Sequence, residues 1–203
     1  MTMKYQIDDS YIDDIPSAVL YRQTMDHYPK SAIGCFIISD DWSEQALLDL
    51  KKKSESWFLV GLQTDGSEFE RLDIIDGIVR CQPNEVNNVI RMLDVKSAST
   101  LICIDVVDIK SLFECGSLFQ FIQESTVDES ESDLIKVTTH KLVSLLAKSR
   151  DTRRLLIGME SFQSLPLEVF AYISDAVEVL LSNDDASIYY YSSMTDEIST
   201  FHL

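Results

Sequence analysis

Ala32-Ile33-Gly34-Cys35-Phe36-Ile37-Ile38 is a run of seven residues without a polar side chain, and Trp57-Phe58-Leu59-Val60-Gly61-Leu62 follows in the same style. Runs this short and this uniformly apolar suit strands buried on both faces of a parallel sheet. Between them, Asp41-Trp42-Ser43-Glu44 reads as a helix start, with Asp41 as the cap and Glu44 three residues on. That helix carries Leu47, Leu48 and Leu50 and closes on Lys51-Lys52-Lys53, cations at the negative end of its dipole. Strand, helix, strand at this spacing is a βαβ unit, which makes the chain an α/β protein.

Working outward, residues 1–15 are polar and acidic, and 16–28 carry Val19, Leu20 and Met25 in a pattern that predicts a helix. Beyond a turn at Asp65-Gly66-Ser67, a strand is expected over 74–79, then a short helix capped by Asn84 with Val86, Val89, Ile90 and Leu93 on one side. Thr100 to Ile104 is the next apolar segment, leading into Asp105 and a helix over 108–113. Residues 125–133 have no apolar face and predict a solvated loop, which caps a helix over 133–149. Leu155 to Met159 reads as a buried strand. Pro166 opens a helix whose buried face is Leu167, Phe170, Ile173, Val177 and Leu180. In Tyr189-Tyr190-Tyr191, alternation puts Tyr190 on the side of Ile188. A turn from Met194 to Glu197 leads to a last strand over 198–203, expected to pair antiparallel with its predecessor. There is no internal repeat and no low-complexity tract.

Composition narrows the partners. A formal net charge of −17 over 203 residues argues against nucleic acid, whose phosphates need clustered Lys and Arg, and against an anionic membrane surface. The trio Arg150, Arg153 and Arg154 is too small to change that. No stretch is long and apolar enough to insert in a membrane, and the N-terminus has no signal-like apolar core, so the cytoplasm is the expected location. Cys35, Cys81, Cys103 and Cys115 are widely spaced and predict reduced thiols, neither a disulfide framework nor a zinc site. His27, His140 and His202 fall in unrelated elements and offer no triad; Ser43 is in no nucleophile elbow. The acidic loop Asp128–Asp133 lacks the glycine and alternation of a calcium loop.

The order strand, helix, strand, helix, strand, turn, strand over residues 100–203 resembles the C-terminal half of the cell-division GTPase FtsZ. Leu101-Ile102-Cys103-Ile104-Asp105-Val106-Val107-Asp108 is similar to the family's synergy loop, with Cys103 where the family has Asn and Gly116 close to the glycine that follows. Leu155 to Met159, Leu167-Glu168-Val169 with Asp175-Ala176-Val177-Glu178, and the tail from Ala186 to Ile198 continue the likeness. The resemblance implies a reduced Rossmann-like βαβ part over 1–98 and an FtsZ C-terminal-like α/β domain with a mixed sheet over 99–203.

The first half departs from the family. Where FtsZ has its glycine loop, this chain reads Ser39-Asp40-Asp41-Trp42-Ser43, without one glycine. Bare backbone amides hold phosphate in such loops; a bulky Trp blocks their approach, and two carboxylates repel the ligand. The chain also looks too short before Ile33 for the family's earlier glycine-bearing strand, and too short between Pro83 and Leu101 for its long central helix. No nucleotide, metal or other cofactor is therefore expected, and no catalytic residue is assigned.

Asp105 and Asp108 are the candidate partner-binding residues. In the family the matching pair reaches into the nucleotide of the next subunit and helps to position the attacking water. The competing reading is local: Asp105 ends a strand and Asp108 caps the next helix. The expected function is protein–protein interaction without catalysis, with FtsZ filaments or a second copy of the chain as partner. The alternative is a divergent GTP hydrolase with a site shared between subunits.

Overall fold

In a computed structural model, residues 15–38, 42–66, 72–95, 104–114, 118–127, 131–148, 154–181, 187–194 and 200–203 are described. The chain divides into two compact units, Met1–Ser97 and Ala98–Leu203. It is an α/β protein, with a parallel sheet in one unit and a mixed sheet in the other.

In the first unit, β1 (Ala18–Tyr21), β2 (Ile33–Ile37), β3 (Phe58–Gln63) and β4 (Gly77–Arg80) lie side by side in chain order, all parallel. Each strand adds on the same side, so the sheet grows in one direction. The register puts Val19, Gly34 and Leu59 in one row and Tyr21, Phe36 and Gly61 in the next. Helix α1 (Glu44–Ser54) lies on this face, where Leu47 and Leu50 join Tyr21, Phe36, Ile38, Leu59, Ile75 and Ile78 in one core. Close packing explains Gly34: a Cβ there would sit 2.6 Å from Leu59 Cδ2.

Several expectations fail in this unit. Residues 16–28 are not helical; they hold β1 and a turn in which Met25 N donates to the Arg22 carbonyl. Four adjacent apolar residues gain more as a strand against β2 than as one loose helical stripe, and Met25 stays exposed. A strand thus does precede Ile33, though with no glycine in it. The strand expected from Ile74 starts at Gly77, because Ile75 closes a turn on Leu72 while Asp76 Oδ2 accepts from Leu59 N at 2.8 Å. Asn84 is no cap. It sits inside the 3-10 turn Pro83–Glu85, where Glu85 Oε2 accepts from Gln82 N at 2.7 Å. The eight-residue helix α2 (Val86–Leu93) follows, and Asp94 at its end accepts from Ser17 N at 2.7 Å, fastening the helix to the start of β1.

The second unit contains α3 (Val106–Glu114), β5 (Leu118–Gln120), β6 (Ser125–Val127), α4 (Glu131–Leu146), β7 (Arg154–Ser161), α5 (Leu167–Glu178), β8 (Ser187–Met194) and β9 (Thr200–His202). Its mixed sheet has the order β6-β9-β7-β8. β7 and β8 are parallel, as the connecting α5 requires. The final strand is antiparallel as expected, but its partners are β7 and β6, not its predecessor β8. Crossing to the far side of β7 sends Phe201 and Leu203 into the core with Leu134, Leu142, Met159, Phe170, Ile173 and Val177. The same pairing turns 125–127, expected to be loop, into a strand: Thr126 lies opposite Phe201, and its hydroxyl accepts from Thr138 at 2.8 Å. Ile188 and Tyr190 both pack on this core, and Tyr190 donates to Ser174 at 3.1 Å. No described helix is long and apolar enough to cross a membrane.

Candidate functional site

Asp105 stands just before α3, and its backbone carbonyl accepts the helix's first long bond, from Ile109 N at 3.2 Å. Its Oδ1 accepts from Val107 N at 2.8 Å and from Asp108 N at 2.9 Å. Asp108 reaches back, and its Oδ2 accepts from Asp105 N at 3.0 Å. The two carboxylates thus form a reciprocal capping box that satisfies three otherwise orphan amides. The negative charge also sits at the positive end of the helix dipole. Local capping therefore uses both aspartates, yet one oxygen of each carboxylate has no hydrogen bond to the described residues, and Asp105 is exposed.

Helix α3 is held firmly beneath that turn. Ile109, Leu112 and Phe113 are buried, and Phe113 meets Phe119 edge-on at 4.7 Å. Arg154, at the start of β7, donates to the Ser111 carbonyl at 3.0 Å. The outward side shows Val107, 58 % exposed, and Lys110 paired with Glu114 at 3.5 Å. Lys110 and Glu114 are exposed, so their pair adds little stability. A helix anchored by its buried side thus presents the carboxylate pair, one aliphatic residue and one ion pair on its outer side.

The turn entering α1 is the opposite case. Trp42 is buried, its ring 5.4 Å from that of Phe36 and tilted by 58°, inside the first core. Ser43, not Asp41, is the cap: its Oγ accepts from Ala46 N at 3.2 Å and its carbonyl from Leu47 N at 3.0 Å. Both residues suit a cap by type, and the burial of Trp42 selects the later one. Ser39, Asp40 and Asp41 lie outside the described residues, as do 1–14, Leu101–Cys103, Cys115, Gly116, Arg150, Arg153 and residues 195–199, where a turn was expected.

One buried polar group escaped the sequence reading. Tyr21 Oη meets Ser31 Oγ at 2.9 Å, Ser31 meets Ser56 at 3.2 Å, and Ser56 meets Ser54 at 2.7 Å. The hint was three serines flanking two strand starts, but nothing local tied them to Tyr21. Burial pushes the Tyr21 hydroxyl above its ordinary range, with the serine hydrogen bonds partly offsetting this. Burial pushes the Cys35 thiol far up, and Cys81 rises for the same reason. Both thiols are free and buried, which makes them poor nucleophiles. His27, His140 and His202 stay in separate elements, and His202 Nδ1 lies 3.5 Å from Gln123 Nε2. No group of three or more His, Cys, Asp or Glu among the described residues could hold a metal ion.

No protein-family model matches the chain, and no curated protein does. Among solved structures it is similar to an empty FtsZ dimer from M. jannaschii, with 16 % identity and a TM-score of 0.54, covering 84 % of this chain and 60 % of that one. A mutant FtsZ from the same organism matches at 16 % identity and a TM-score of 0.49, covering 84 % and 54 %. The chain therefore spans less than two thirds of the FtsZ chains it matches. At this identity the first likeness establishes a shared fold.

Proposed function

We propose that this chain is a non-catalytic FtsZ-like protein of the cytoplasm that acts by protein–protein contact, offering the Asp105–Asp108 turn to an FtsZ subunit. In this reading 1–98 is a reduced nucleotide-binding-like part unable to hold GTP, and 99–203 is an FtsZ C-terminal-like domain. The contrast between the two helix starts carries it. At α3 a carboxylate pair, with Asp105 exposed and Asp108 half-buried, stands on a helix anchored by Ile109, Leu112 and Phe113. At α1, whose entering turn this reading takes as the counterpart of the phosphate loop, Trp42 is buried, Ser43 is the cap, and residues 39–43 contain no glycine to bare the backbone amides. The FtsZ structure that shares the fold is a dimer, which fits a role in subunit contacts. A subunit with one of two head-to-tail faces ends a filament instead of extending it.

Co-sedimentation with FtsZ and GTP tests this. The expected result is less pelleted FtsZ and slower GTP turnover at substoichiometric amounts, an effect weakened by Asp105→Ala with Asp108→Ala. No co-pelleting and no change in either quantity would discard the proposal. A second reading, a divergent GTP hydrolase with a site shared between subunits, draws on the carboxylate oxygens that capping leaves over. Calorimetric titration with GTP separates the two, because tight binding supports the hydrolase and a flat titration supports the non-catalytic reading.

A further inference from the structure

The helical layer of the second unit carries opposite charge on its two helices. On α4 the exposed face presents Lys136, His140 and Lys141, with Lys148 exposed in the turn beyond and the carboxylate of Asp133 exposed in the first turn. Residues 136, 140, 144 and 148 recur every four positions, so they form one row along the helix. Helix α5, Leu167–Glu178, contains no cation, and its exposed face presents Glu168, Asp175 and Glu178. In a chain with 17 basic against 34 acidic residues, this separation sets a cationic row beside an anionic one.

Topology fixes how the rows lie. β9 is antiparallel to both β6 and β7, so β6 and β7 run the same way, as do β7 and β8. Helix α4 joins β6 to β7 and α5 joins β7 to β8, and right-handed crossovers place both on one face. They pack side by side and point the same way.

We propose that this layer is a self-complementary docking surface for a second copy of the chain, with α4 of one protomer against α5 of the other. A two-fold axis between the helices and parallel to them exchanges their positions and keeps their direction. Each cationic row then meets an anionic one, and the contact is made twice. Val137, 37 % exposed, and Ala171, also exposed, supply a small apolar centre with the charges around it. Lys141 Nζ sits 3.5 Å from both the Ser125 carbonyl and Thr126 Oγ1, weak contacts that a carboxylate can replace. Helices about 24 Å and about 18 Å long and about 10 Å apart offer roughly 400 Å² per protomer, below the ~800 Å² of a standard interface. The dimer is therefore weak, and the charge of −17 on each protomer weakens it further at low salt. This surface is separate from the Asp105–Asp108 turn, and its test does not involve FtsZ.

Sedimentation velocity of the full chain from micromolar to millimolar concentration reads the association. Lys136→Glu with Lys141→Glu makes both rows acidic, and Glu168→Lys with Asp175→Lys makes both basic. Each variant alone should associate at least about tenfold more weakly, the loss of a few exposed pairs. An equimolar mixture of the two should recover a dimer. Lys52→Glu with Lys53→Glu on α1, which makes the same change in net charge with no substitution in the layer, should associate more strongly than Lys136→Glu with Lys141→Glu when salt screens the long-range repulsion. Circular dichroism checks folding; where a reversal disturbs it, Lys136→Gln with Lys141→Gln should give the same direction of loss. An unaltered chain that stays monomeric throughout overturns the proposal. So does a mixture that stays monomeric, or a loss confined to the α4 variants, which would mean that α4 meets an acidic surface of the second copy other than α5.

Discussion

Helices α1 and α3 start alike in the backbone, each with a side-chain oxygen accepting from the first turn, yet they present opposite surfaces. At α1 the cap is a neutral serine and the residue before it, Trp42, turns inward onto Phe36. At α3 the cap is a carboxylate, answered by a second, and Asp105 stays exposed. Capping chemistry alone thus does not decide whether a helix start is closed or available. The bulk and direction of the neighbouring side chain decide it.

The largest expected effect tests the closed start. Trp42→Ala should cost about 3–5 kcal/mol in urea unfolding, as for other buried aromatic truncations. A loss below about 1 kcal/mol would mean that the ring fills no essential space, and the contrast would collapse.

A chemical difference comes next. Cys35 lies on the strand that feeds α1, and burial holds its thiol above the ordinary value of 9.0. Above that pH the unfolded chain releases a proton that the folded chain keeps. Stability is therefore full below about pH 9 and falls as pH rises, by up to about 1.4 kcal/mol per pH unit. Melting temperatures between about pH 7 and pH 11 should decline less steeply in Cys35→Ala. Cys81 and Tyr21 shift in the same direction, so the difference between the two curves isolates Cys35.

The open start is expected to be cheaper to alter. Asp105→Ala removes the acceptor of two amides and should cost about 1–2 kcal/mol, while Asp108→Ala, which removes one, should cost about 0.5–1 kcal/mol. The double variant should fall short of the sum, because the two carboxylates form one reciprocal cap. Strict additivity in urea denaturation would break the capping-box description. Ser43→Ala should be as mild as Asp108→Ala, about 0.5–1 kcal/mol, since a single 3.2 Å bond is lost and Trp42 stays in place.

The βαβ start was legible because Ile33–Ile38 and Phe58–Leu62 are apolar throughout, and burial on both faces needs no knowledge of the neighbours. Ala18–Tyr21 was not: four apolar residues suit a strand or a helical stripe, and only the proximity of β2 separates them. The aspartate pair could be found by spacing, but which oxygen accepts which amide could not. β9 is three residues long, too short to encode a partner, and it pairs with β7 and β6 instead of the expected β8.

By itself the sequence determined the α/β class, the excess of acid, the lack of glycine at 39–43 and the carboxylates at 105 and 108, because each depends on residue type over a few adjacent positions. Tertiary structure decided that Trp42 turns inward, that the last strand crosses beyond β7, and that cationic and anionic helix faces lie next to one another. Those outcomes depend on which distant apolar surfaces are buried together, and the free energy of that burial is shared among residues far apart in the chain.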